Sequence, residues 1–112
     1  MFIQAMEAAP LPIPLDDEER RLRLHMGPDA DDPGARFVIH ARSTGGSTET
    51  KVWMRLNHAL LEPIWQGEYC RVEVPAGIMR VGPNELSIWC DAELAKTTNP
   101  IIVHAVLTSV TY

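Results

Sequence analysis

Apolar and polar residues alternate with a period of two along most of this chain, and that pattern restricts it to extended strands with one buried and one wet face. Phe2, Gln4 and Met6 stand against Ile3 and Ala5 in a short opening strand. Phe37, Ile39 and Ala41 alternate with Val38, His40 and Arg42. Val52, Met54 and Leu56 oppose Trp53 and Arg55, Cys70, Val72 and Val74 oppose Tyr69, Arg71 and Glu73, and Leu86, Ile88 and Cys90 oppose Ser87 and Trp89. Residues 101–112 alternate less cleanly but are rich in β-branched side chains, which suit a pleated surface. The stretch 15–24 is ambiguous, because Asp16 and Asp17 can cap a helix. Leu22, Leu24 and Met26 nevertheless alternate with Arg21, Arg23 and His25 up to a Gly27-Pro28 stop, which predicts a strand over Arg20–Met26.

Turn chemistry separates these runs. Residues 27–35 read as an acidic loop, Gly45-Gly46-Ser47 as a flexible turn, and Pro63, Gly67, Pro75-Ala76-Gly77, Gly82-Pro83-Asn84 and Asn99-Pro100 as further reversals. The spacing, roughly eight to twelve residues, is that of a sandwich, and no long helical window competes. The expected architecture is all-β: six or seven antiparallel strands stacked as two sheets with Greek-key or jelly-roll connections. In PLPIPL, residues 10–15, the prolines remove backbone donors, so this segment is an edge or a linker.

At 112 residues, with 46% hydrophobic and 22% charged residues, the chain has the length and composition of a single globular domain, taken as 1–112 with a Pro-rich lead-in over 1–14. A net charge of -5, with no basic cluster larger than Arg20, Arg21 and Arg23, argues against nucleic acid as a partner. No apolar run approaches a membrane span, and the opening MFIQAMEAAP lacks the form of a secretory signal, so no compartment is read from it. Cys70 and Cys90 lack zinc-ligand spacing and share the buried parity of their strands. They pack as two buried thiols or join in a bridge, and the sequence leaves both open.

The segment from Val52 to Ile88 resembles the galactose-binding-like jelly-roll domains appended to glycoside hydrolases. Leu56-Asn57 ends one strand, Tyr69 to Pro75 forms the next, and Met79 to Glu85 supplies a turn with Gly82 and Asn84 in place. His58 stands where that family has glycine, so it must tolerate φ > 0 or adopt another turn. Within the turn, the Asn84 side chain is expected to bond backbone groups left unpaired. The resemblance implies a non-catalytic carbohydrate-binding or accessory module.

The residues themselves agree with binding more than with catalysis. His25, His40, His58 and His104 are scattered, no GxSxG elbow is present, and the acids lie on polar faces or in loops, so no catalytic residue is assigned and independent enzymatic activity is not expected. Asp29, Asp31 and Asp32 offer hard oxygen ligands, and the resemblance allows calcium there, but a solvated loop is the simpler reading and no metal or other cofactor is assigned. The aromatics carry the stronger signal. Sugars present apolar C–H faces ringed by hydroxyls, and Trp53, Arg55, Asn57, His58, Trp65, Tyr69 and Trp89 are the residue types that meet them. If 51–57 and 84–90 share a sheet, Trp53 and Trp89 project from one outer face beside Arg55. If not, recognition falls to the loops around Asn57, His58, Trp65 and Asp29–Asp32. The alternative function is a structural sandwich that self-associates or packs on a partner domain, with no sugar ligand, its outward tryptophans covered by that contact.

Overall fold

Sequence alternation becomes burial parity in the computed structural model, which describes residues 2–5, 11–46, 51–91 and 99–112; Met6, Pro10 and Ser47 lie outside it. Along the chain run β1 (Phe2–Ala5), β2 (Ile13–Pro14), β3 (Arg20–Met26), β4 (Arg36–Thr44), β5 (Val52–Leu56), β6 (Ala59–Leu61), β7 (Ile64–Gln66), β8 (Tyr69–Glu73), β9 (Gly82–Cys90) and β10 (Ile102–Thr111). All pairings are antiparallel. One sheet has the order β1-β10-β4-β8-β7, with β2 also paired to β10, and the other has the order β3-β9-β5-β6. From β3 onward the chain passes between sheets at every connection except the β5–β6 and β7–β8 hairpins, a path compatible with a jelly-roll.

The expected two-sheet sandwich is therefore present, with more strands than the alternation suggested. β2, β6 and β7 are too short for a period to register. Gly82-Pro83, expected as a turn, instead opens β9, where Pro83 pairs with His25. The acidic loop folds into one 3-10 turn over Pro28–Asp31.

Between the sheets lies an apolar core in which Leu24, Ile39, Met54, Leu56, Leu86, Ile88, Val103 and Val110 are wholly buried. Val52 and Val74, expected inside, are half-buried against its margin. The weak alternation of the last strand has a local cause. The register of β10 against β4 shifts between Val103 and Ala105, so His104 is an extra residue in the strand. Val103 is buried before the bulge, and Val106, Thr108 and Val110 after it. The Pro-rich lead-in proves to be an edge that straps the sheets together: the Leu15 amide donates to Ile101 O, and the Asp16 carbonyl accepts from the Cys90 amide. Cys70, on β8, is a free thiol, so the bridge to Cys90 is not formed. Both residues are buried in the core, and burial pushes the Cys70 thiol up to about 12, partly offset by a backbone hydrogen bond at Ile64.

Candidate functional site

β5 and β9 are neighbours, so of the two arrangements open in the sequence the shared outer face is the one found. Inward burial of Met54 and Leu56 on β5, and of Leu86 and Ile88 on β9, forces the intervening residues outward. Trp53 then lies directly opposite Trp89, and Arg55 directly opposite Ser87. The two indoles stack with centroids 6.3 Å apart and planes 13° from parallel. The Arg55 guanidinium sits over the Trp89 ring, 5.1 Å from its centroid, and its Nη1 donates to Glu19 Oε1 at 2.5 Å. Exposed ion pairs contribute little alone. Here the pair restrains a guanidinium that already rests on an aromatic face. The arrangement is a half-exposed aromatic surface with a cation and a carboxylate fixed at its border.

Asn57 and His58 form the two-residue turn between β5 and β6, with φ of 48° and 75°. Consecutive left-handed residues are the mark of a type I′ hairpin, which matches strand twist. His58 thus adopts the backbone that the resembled family gives to glycine. The Asn57 amide is committed internally: its Nδ2 donates to Ile78 O and to Asn84 Oδ1, and its Oδ1 accepts from the Glu85 amide. Asn84, 1% exposed, bonds backbone groups as expected, though from within β9 toward the loop before it, accepting from the Arg80 amide and donating to the Arg80 and Gly82 carbonyls. The two asparagines brace the 74–81 loop against the end of the aromatic face.

The remaining sequence candidates lie on the other sheet. Trp65, on β7, is half-buried against the core, and its buried Nε1 has no hydrogen-bond partner among the described residues. Tyr69, on β8, projects from that sheet's outer face and is 65% exposed. The acidic loop is elsewhere again, where Asp29 accepts from the Tyr112 hydroxyl and Asp32 Oδ1 accepts from the Gly34 amide. Contact with Asp29, and the nearby charges of Asp29 and Asp32, push the Tyr112 phenol up to about 12. Among the described residues no three His, Cys, Asp or Glu side chains converge as a metal site would require.

Sequence reasoning missed Glu19. Its signal was parity, since it continues the outward series Arg21, Arg23 and His25 by one step beyond β3. With Arg20 paired to Ile88, Glu19 is carried to the level of Trp89.

No protein-family model matches the chain, and no curated protein matches it. What fold and geometry define is a two-sheet antiparallel β-sandwich with a stacked tryptophan pair on the outer face of its four-stranded sheet.

Proposed function

We propose that the protein is a non-catalytic binding module, of the accessory kind that accompanies glycoside hydrolases, and that it takes carbohydrate on the Trp53–Trp89–Arg55 face. The observation that carries this reading is the cross-strand indole stack with Arg55 held across Trp89 by Glu19. Indole surface accepts the C–H face of a pyranose, while guanidinium and carboxylate supply the donor and acceptor that hydroxyls need. Both tryptophans come from strands anchored by the wholly buried Met54, Leu56, Leu86 and Ile88, so the surface is preorganised and little ordering entropy is lost on binding. The order of motifs from Val52 to Ile88 supports the same class.

Titration with a panel of neutral and acidic oligosaccharides, followed by tryptophan emission and calorimetry, tests the reading. Saturable binding at millimolar ligand or below is expected, weakened about tenfold or more in Trp89→Ala, a loss of about 1.4 kcal/mol. If no glycan perturbs the emission at millimolar concentration, the sugar reading fails and a structural sandwich remains.

A further inference from the structure

The outer face of the four-stranded sheet carries charge in a pattern that the stacked indoles do not account for. At the outward positions of its strands stand Arg21, Arg23 and Arg55 against one glutamate, Glu85, with Glu19 at the border. This face is therefore positive on a chain whose net charge is -5. Register sorts the groups into rows across the sheet. Glu19 lies level with Trp89 and Trp53, and Arg23 lies opposite Glu85, but the row between them runs Arg21–Ser87–Arg55 and holds two cations and no carboxylate.

Hydrogen-bonding capacity in that row is unspent. Ser87 is only 5% exposed, yet its hydroxyl has no hydrogen-bond partner among the described residues. Because Leu86 and Ile88 face the core, strand parity aims Ser87 outward, between Arg21 on one side and Arg55 on the other. Each guanidinium has five N–H donors. Arg55 commits Nη1 to Glu19, and Arg21 approaches Glu85 only to 3.6 Å, beyond hydrogen-bond length, with both side chains exposed. Two guanidinium forks and a covered hydroxyl together lack an acceptor with several lone pairs, and an oxyanion is such an acceptor. Ser87 and Trp89 are two residues apart on β9, about 7 Å, so a sugar ring on Trp89 brings its substituent over Ser87. We propose that the sugar taken on the tryptophan face is an acidic one, whose carboxylate or sulfate lies over Ser87 between Arg21 and Arg55. The inference rests on the sugar reading and adds to it the charge of the ligand and the residues that meet it.

Calorimetry with neutral gluco-, galacto- and manno-oligosaccharides, each matched by its uronate and its sulfated counterpart, tests it. An acidic form should bind at least about tenfold more tightly than its neutral match, with the preference shrinking as salt is raised. Arg21→Gln should remove most of that preference, and Ser87→Ala should weaken it severalfold. Arg21 is largely exposed, so its variant should keep the far-UV spectrum of the parent. Arg42→Gln, on the other sheet, makes the same change in net charge and should leave the preference intact. Equal binding of neutral and acidic forms overturns the proposal and leaves the sugar reading standing, whereas no binding of any glycan ends both. A preference that survives Arg21→Gln, or that falls equally with Arg42→Gln, also overturns it, since overall charge and not this row would then hold the anion. Preference for the uronate or for the sulfated form supports it and identifies the anionic group.

Discussion

Single residues in this protein divide sharply between those that hold shape and those free to meet a ligand. Asn84 is the clearest of the first kind, since its amide supplies hydrogen-bond partners to the backbone of Arg80 and Gly82 where the chain enters β9. Asn84→Ala should lower unfolding free energy by about 3 kcal/mol, because it strands several polar groups out of reach of water; urea denaturation measures it. Leu86→Ala, which empties a wholly buried position, should cost about 2 to 5 kcal/mol in the same assay. Tyr112 allows a spectroscopic check. Its phenol should ionise late in an absorbance titration, toward 12, and Asp29→Asn should return it toward the ordinary phenol range. Unchanged late ionisation in that variant would mean the Asp29 contact is absent in solution.

At the scale of elements, the β5–β6 hairpin shows how one residue can sit against its own preference. His58, held at φ 75°, bears the left-handed penalty that glycine escapes, while Asn57 tolerates its φ of 48° more readily. His58→Gly should therefore stabilise the protein by about 1 kcal/mol. A neutral or destabilising result in chemical denaturation would show that the histidine side chain contributes something the turn geometry does not require. The β10 bulge shows the opposite case, in which an irregularity is required. Since the buried residues change parity at His104, the bulge alone lets Val103 and Val110 both face the core.

For the whole molecule, the interior imposes a pH dependence through Cys70. Its native thiol is pushed up to about 12 by burial from an ordinary 9.0, so the folded state keeps a proton that the unfolded chain releases. Stability from this group is fully present below about pH 9 and is lost as pH climbs toward 12. Cys70→Ala should flatten the alkaline limb of the stability curve, and wild-type Cys70 should resist thiol reagents at neutral pH until the protein unfolds.

Much of this architecture was legible before any coordinates, because alternation is a local property. A residue's inward or outward side follows from its neighbours two positions away, and Leu22, Leu24, Ile39, Met54, Leu56, Leu86 and Ile88 were read correctly into the core on that basis. Parity also marked Trp53, Trp89 and Arg55 as outward. Short strands such as β6 and β7 escaped, since three residues do not define a period. Which strands lie side by side was not legible at all, because pairing depends on how the chain returns across the sandwich and on register between residues far apart in sequence. Trp53 and Trp89 meet only because β5 docks on β9 with no offset between them, and Glu19 joins them only because β3 closes the other side of β9. Local alternation thus determined the faces of this protein. The tertiary pairing decided which outward residues became neighbours, since contacts across a sheet are set by long-range register that no local pattern encodes.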